Sequence, residues 1–212
     1  MIVKQVPLDG IINTNAYFYI DEQSKHGFLI DPATNAEKLV NMIFQNGWTI
    51  EKMLITHGHF DHIGAAEKLG KIFNIPYFAH TKSAEYLTDG NMNLSGYFEQ
   101  PIVLSEAKYL NEGDKIRLNA NPQIELEVIH TPGHTQDAVI YYDSKQNIAF
   151  VGDTIFKNSI GATHFPGGNL KQLLQSIKTK ILALPPQTIL YSGHSEPTTI
   201  AAESKNFAKM HV

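Results

Sequence analysis

The sequence predicts an α/β protein in which two β-sheets pack together and are covered by helices. Three observations carry this reading. Short apolar strand patterns cluster in each half of the chain, and helical patterns fall between and after them. The 212 residues, 42% apolar and 18% charged, are enough for one sizeable folded unit. The expected organisation is a single domain over residues 1–212, in two comparable halves of about 1–107 and 108–212, with no literal repeat and no low-complexity linker.

Strands are expected at Ile2–Leu8, 16–20 and 27–30, separated by turn residues such as Asp9-Gly10 and Asn13. Thr34-Asn35-Ala36-Glu37 has the form of a capping box. Leu39, Val40, Ile43 and Phe44 then share a helical face, and Gly47 stops the helix. Residues 48–56 read as a strand that delivers the chain into His57. A helix over 63–73 follows, with Ile63, Ala66, Leu69 and Phe73 on its buried side. A short strand at 76–79 and a helical stretch at 83–87 come next. Residues 88–107 are irregular, with Gly90, Gly96, Pro101 and several asparagines, which suits a lid or binding loop carrying Tyr97 and Phe98.

The second half repeats the scheme, with strands at 115–118, 124–129, 138–142 and 148–151. A helix over 170–182 carries Leu170, Leu173, Leu174, Ile177 and Ile181 on one face. A strand at 188–191 leads into Gly193-His194, and a last helix runs over about 198–209. The aromatic pairs Tyr17/Tyr19 and Tyr141/Tyr142 read as strand packing.

Bulk composition removes several function classes. A net charge of -4 offers no broad cationic surface for phosphates, so nucleic acid is not an expected partner. With no cysteine, disulfides, thiolate metal sites and cysteine nucleophiles are excluded. No segment approaches the roughly 20 apolar residues that span a bilayer, so no membrane partner is expected. Met1–Pro7 alternates like a strand and lacks the positive region and apolar core of a secretion signal. The expectation is a cytoplasmic protein acting on a small molecule.

Chemistry concentrates in His57-Gly58-His59-Phe60-Asp61-His62, three histidines and an aspartate within six residues. His57 and His59 alternate at a strand end and can project the same way, while the following turn can bring Asp61 and His62 to the same centre. Imidazole with carboxylate suits zinc, iron or manganese, and the lack of thiolate argues against a purely structural zinc. Three further strand ends carry ligand chemistry: His134 in Thr131-Pro132-Gly133-His134-Thr135, Asp153 in Gly152-Asp153-Thr154, and His194 in Gly193-His194. Each alone is explicable as a polar turn. Four strand ends that all deliver metal-ligand groups are not. Asp31, at the end of the strand over 27–30, is either a turn residue before Pro32 or a partner that holds a ligating imidazole. His26, His80 and His211 read as solvated or locally bonded, and His130 as facing away from His134.

In these motifs, in this order and over most of the chain, the sequence resembles the metallo-β-lactamase superfamily. The resemblance implies a four-layer αβ/βα sandwich with a metal site along the edge of its two sheets. It implies two divalent ions, zinc in the first instance and iron or manganese otherwise. His57, His59 and His134 would hold one, Asp61, His62 and His194 the second, and Asp153 would bridge them. Asp61 and Asp153 would also orient a bridging hydroxide, which two such ions make available near neutral pH.

Closer similarity is to the glyoxalase II-like branch, in Gly152-Asp153-Thr154-Ile155-Phe156, Ser159-Ile160-Gly161, Phe165-Pro166-Gly167-Gly168 and Glu196-Pro197-Thr198-Thr199-Ile200 with Glu203 and Asn206. That implies a metallohydrolase acting on a thioester such as a hydroxyacylglutathione. Two departures limit it. Gly161-Ala162-Thr163-His164 stands where relatives usually have Gly-Arg-Thr-Asp, and only one short helix follows His194 where full-length glyoxalase II has a glutathione-gripping domain. His164 reads as a surface loop residue. The alternatives are a mono-iron persulfide dioxygenase using positions such as His57, His134 and Asp153, a lactonase or β-lactamase-like hydrolase, and a non-catalytic metal-binding protein.

Overall fold

A computed structural model describes residues 1–98 and 100–208 of the chain. The first sheet contains β1 (Ile2–Leu8), β2 (Thr14–Ile20), β3 (His26–Ile30), β4 (Thr49–Leu54), β5 (Tyr77–His80) and β6 (Lys108–Leu110), in that spatial order. Its first three strands are antiparallel and the rest run parallel, joined by the helices that parallel connections require. The second sheet has the order β14-β13-β10-β9-β8-β7. Its strands are β7 (Lys115–Arg117), β8 (Glu125–His130), β9 (Val139–Asp143), β10 (Ile148–Gly152), β13 (Ile189–Ser192) and β14 (Thr198–Thr199), of which only β10 and β13 pair in parallel. A small hairpin, β11 (Ile155–Phe156) with β12 (Ser159–Ile160), stands apart from both.

Side-chain alternation explains why the sheets stack in the middle. On β2, Tyr17 and Tyr19 face the second sheet, whereas Phe18 and Ile20 face helices. On β9, Val139 and Tyr141 meet them from the other side, and Ile140 and Tyr142 point outward. Strands apolar on both faces must be covered on both faces. The outer face of the first sheet is covered by α1 (Ala36–Asn46) and α3 (Ala66–Phe73) through Leu39, Ile43 and Leu69. The outer face of the second is covered by α5 (Leu170–Ser176), the π-turn Ile177–Ile181 and α6 (Ile200–Phe207) through Leu173, Ile177, Ile181 and Ile200. The result is the predicted four-layer αβ/βα sandwich. The buried tyrosines are packing residues as expected, and each spends its hydroxyl across the fold: Tyr17 on Ser192 O at 2.5 Å, Tyr19 on Asp143 at 2.7 Å, Tyr141 on Ile55 O at 2.8 Å.

Several elements differ from the sequence reading. The cap of α1 is Asn35, whose side chain accepts from Lys38 N at 3.1 Å, rather than Thr34. The helix expected over 63–73 is two, α2 (Phe60–Ile63) and α3, because Ala65 N turns aside to bond Pro32 O at 2.8 Å. Thr198 lies in β14, and α6 starts at Ile200, capped by the Thr199 hydroxyl. The expected helix end near Lys209 and the reading of His211 lie outside the described residues.

Irregular residues 88–107 contain α4's last residue (α4 spans Ser83–Thr88), a 3-10 turn at Ser95–Tyr97 and buried Asn93, Ser95 and Leu104. Asn93 Nδ2 donates to Ile102 O, Ser95 N to Asn93 Oδ1, and Ile102 N to Ser95 Oγ. These bonds brace the segment internally, and Phe60 N to Asn93 O at 2.9 Å and Leu104 N to Leu87 O at 2.7 Å tie it to the body. No helix among the described residues is long and apolar enough to cross a membrane.

Candidate metal centre

The seven histidines and aspartates singled out by the motifs converge at one edge of the sandwich, where strands of both sheets end. After β4 the chain leaves the first sheet, and Thr56 O accepts Val139 N of β9 at 2.8 Å, so the His57–His62 turn starts pinned between the sheets. The single turn α2 then carries Asp61 and His62 back toward His57. His134 arrives in the Pro-Gly turn between β8 and β9, Asp153 directly after β10, and His194 after β13.

His57 Nε2 and His134 Nε2 lie 3.1 and 3.0 Å from His59 Nδ1. Three ring nitrogens about one tetrahedral ion at 2.0–2.1 Å would stand about 3.3 Å apart, so this triad fits a cation. Two further groups, His57/His62/Asp153 and Asp61/His62/His194, also present donor atoms within 4.8 Å of one another. Asp153 lies between them, with Oδ2 3.6 Å from His134 Nε2 and 3.1 Å from His194 Nε2, and Oδ1 3.4 Å from His62 Nε2. All seven residues are buried except His194, which is partly exposed. His62 Nε2 and Asp153 Oδ1 are buried polar atoms without a hydrogen-bond partner, an arrangement that is costly unless something else occupies the space they face. The residues therefore fit metal ions.

Most imidazoles are held from behind. His134 Nδ1 donates to Ala162 O at 2.6 Å and His194 Nδ1 to Asn13 O at 2.8 Å, which turns each Nε2 inward. His62 Nδ1 donates to Asp31 Oδ2 at 2.9 Å. Asp31 also accepts Thr56 N at 2.8 Å and the Thr56 hydroxyl at 2.7 Å, and Thr56 Oγ1 stands 3.2 Å from His57 Nδ1. Asp31 is thus the partner of His62, a candidate ligand, and also a turn residue, at φ 48°. Two contacts at the site escaped the sequence reading. The Thr14 hydroxyl donates to Asp61 Oδ2 at 2.8 Å, and Asp137 accepts Gly58 N at 2.9 Å and the Ser83 hydroxyl at 2.7 Å. Thr14 lies 47 residues from its partner and carries no local signal. Asp137, an acid opening the apolar run Ala138-Val139-Ile140, was the visible anomaly.

Burial holds His57 well below its ordinary range and lowers His59 to about 3, so both are neutral donors. Burial opposes charge at His62 and His194 too, but the carboxylates of Asp61 and Asp153 outweigh it. His62 is raised, and His194 sits at about 10. Against the same opposition His62 and His194 hold Asp61 at about 2 and Asp153 well below the carboxylate range. Two carboxylates and two imidazolium groups thus balance inside the centre, and a bound cation would take over the role of those protons.

Gly193 and Gly152 permit this crowding. A Cβ on Gly193 would collide with Asp153 Oδ1 and come within 2.6 Å of His62 Cε1, and Gly152 adopts φ 49° against Thr56. Around the mouth, Phe165 stands 5.6 Å from the His59 ring and Phe156 5.8 Å from His194. Ala162, where an arginine was expected, serves through its carbonyl, and exposed His164 leans on Phe165 at 4.1 Å. His130 faces away as expected, donating to Gln136 O and stacking on His80 at 4.2 Å. His26 pairs locally with Glu51.

This fold and this histidine–aspartate edge define a metallohydrolase scaffold. The chain belongs to the metallo-β-lactamase superfamily, whose sequence model matches residues 9–194. It is 36% identical over 201 residues to a probable metallo-hydrolase, YqgX, of Bacillus subtilis, covering 94% of this chain and 93% of that protein. It is 30% identical to the hydroxyacylglutathione hydrolase GloC of Haemophilus influenzae, covering 97% and 96%. Among solved structures, the BLEG-1 B3 metallo-beta-lactamase superposes with a TM-score of 0.89 at 38% identity, covering 96% of this chain and 97% of that one. TTHA1623 in a di-iron-bound form gives 0.82 at 31%, covering 96% and 98%. ETHE1 from Myxococcus xanthus gives 0.80 at 26%, covering 98% and 83%.

Proposed function

We propose that the protein is a dinuclear metal-dependent hydrolase that cleaves a small thioester in the cytoplasm. The observation that carries this reading is the convergence of seven metal-ligand side chains at one edge of the sandwich. His57, His59 and His134 would hold one ion, Asp61, His62 and His194 the other, and Asp153 would stand between them. Zinc suits this nitrogen and oxygen donor set, and iron is supported by the di-iron form of TTHA1623. Two such ions, when bound, supply Lewis acidity and a water acidic enough to react near neutral pH.

The protein's own residues set the geometry. Asp61, steadied by Thr14, and Asp153 orient the attacking water and balance cationic charge. Ala162 O, Asn13 O and Asp31 fix the tautomers of His134, His194 and His62 before substrate arrives, so no reorganisation is spent during reaction. Phe156 and Phe165 exclude bulk water at the rim. A thioester suits this equipment because its thiolate departs without needing a proton, and GloC supports an acyl-thiol substrate.

A mono-iron dioxygenase, the alternative raised by the sequence, would employ His57, His134 and Asp153 but leave the Asp61/His62/His194 group without a task. Metal analysis combined with an S-lactoylglutathione assay decides between them. Two ions per chain and hydrolysis that is lost in Asp61→Ala and His59→Ala support the hydrolase. One iron with oxygen consumption on glutathione persulfide overturns it.

A further inference from the structure

Next to the metal centre, the turn between β1 and β2 faces α2 and the irregular segment across a pocket of about 210 Å³. Its lining includes Ile11, Ile12, Phe60, Phe98 and Ile102, with Asp61 among them. Asp61 is also part of the centre, 3.3 Å from His194 Nε2, so the pocket borders the reacting edge. Ile11 is 77% exposed and Ile12 43%, an expensive placement for two large aliphatic side chains in adjacent positions. Phe60 and Phe98 meet edge to face, their ring centroids 5.0 Å apart. The wall is preformed: Phe60 N bonds Asn93 O at 2.9 Å, and the Asn93, Ser95 and Ile102 bonds lock the loop behind Phe98.

Charge narrows the occupant. Asp61 is the only charged group among the described lining residues. The sequence contains a single arginine, Arg117, and it is bonded to Glu125 on β7 and β8. Lys157, on the hairpin near His194, is taken by Glu196. Nothing in the pocket would hold a carboxylate, and its apolar walls would leave one desolvated and unpaired. At about 30 Å³ for a water-sized group, the space takes about seven non-hydrogen atoms.

We propose that this pocket is an acyl subsite for an uncharged, apolar chain or ring of about six carbons, so that the substrate is a medium-length acyl compound. The inference rests on the hydrolase reading, in that the acyl carbonyl must reach the metal centre beside Asp61.

The test separates the two. Straight-chain carboxylates from acetate to octanoate, which resemble the acyl product, are titrated into the metal-loaded protein by calorimetry. Binding should tighten about two- to fourfold per methylene up to about six carbons and then level off. In Ile11→Asp and Phe98→Ala, each with metal content confirmed, the gain should drop below about 1.5-fold per methylene. A flat series in the native protein, or an unchanged slope in both variants, overturns the subsite. In parallel, thioesters of the same acids on one neutral thiol are assayed. Turnover without chain-length dependence also overturns the subsite while keeping the hydrolase. No turnover at any length, with the binding slope intact, overturns the hydrolase reading and keeps the apolar site.

Discussion

Asp31 is the residue through which the metal centre is most open to a decisive perturbation, because one buried carboxylate serves three donors. It accepts Thr56 N, the Thr56 hydroxyl and His62 Nδ1 at 2.8, 2.7 and 2.9 Å, and only 2% of it is exposed. Bonds to a charged acceptor contribute about 1.5–3 kcal/mol each. Asp31→Ala should therefore lose about 5 kcal/mol, with some of that from placing alanine at φ 48°, so its metal uptake would report on unfolding as well as on the site. Asp31→Asn is the sharper experiment. Asparagine tolerates that backbone conformation, and its Oδ1 can still accept Thr56 N. Its amide group, however, donates where the carboxylate accepted. His62 must then present a lone pair at Nδ1 and carry its proton on Nε2, the atom that faces Asp61 and Asp153. A protonated Nε2 cannot ligate. The expected result is a fold that melts within a few kcal/mol of native, a second metal bound 10–100-fold more weakly, and a His62 tautomer shift visible in ¹⁵N NMR spectra. Chelator competition measures the affinity. Two ions bound at native affinity by Asp31→Asn would refute the claim that Asp31 sets the donor.

Asp137→Ala should weaken the first metal site by about tenfold through the freed Gly58 N–H between His57 and His59; Asp137→Asn, which keeps an acceptor, should recover most of it in the same chelator competition. Chelation of the native protein should lower its melting point by about 5–10 °C, since an ion at 100 times its Kd contributes about 2.7 kcal/mol to a chain of this size; scanning calorimetry that shows no shift would argue against bound metal. Acid should destabilise the fold partly through His80, which burial, then the neighbouring His130, lower to about 4. Lys82 and Lys180 add to this and Glu112 opposes it. With the folded pKa below the unfolded value of about 6.5, the unfolded chain takes up the proton first. His80 therefore supports the fold fully above about pH 6.5, and that support is lost as pH falls toward 4. His80→Asn, compared with the native protein by urea melts from pH 7 to 4, should show the shallower pH slope; equal slopes would exclude His80.

How far the sequence carried can be judged at particular residues. Layering was legible because strand patterns group in each half with helices between and after them, and the resemblance implied four layers; which side Tyr17 and Val139, or Phe18 and Ile140, take on β2 and β9 shows only in the contacts. The candidate ligands were legible for a different reason: metal chemistry demands a few residue types, and strand ends at His57, His134, Asp153 and His194 supplied them at positions that β-sheet geometry can gather. Neither signal reports on short elements whose stability is wholly tertiary. The strands Lys108–Leu110 and Thr198–Thr199 and the 155–160 hairpin are three, two and two residues per strand, too short for a period to show. Helix α2 is a single turn, far below the length at which a helix persists alone, and it exists because Phe60 N finds Asn93 O and Ala65 N finds Pro32 O.

The same division separates what determines the chemistry from what selects the substrate. The ligand turn speaks through residue type, so it could be read locally. Specificity at the acyl pocket instead depends on Ile11 and Ile12 meeting Phe98 and Ile102 from nearly a hundred residues away, and none of these residue types is unusual in its own segment. In the sequence, Ile11-Ile12 is an apolar pair in a turn and Phe98 an aromatic in an irregular loop. Folding brings them beside Asp61, the ligand that turns an ordinary apolar contact into a wall of the reacting site. Substituting Ile11 should therefore alter which acyl chains bind while leaving metal content as it is, whereas substituting Asp61 should lose the metal and with it the hold on the carboxylate head. If instead both substitutions abolished metal binding alike, the pocket would be part of the metal scaffold rather than a place for substrate.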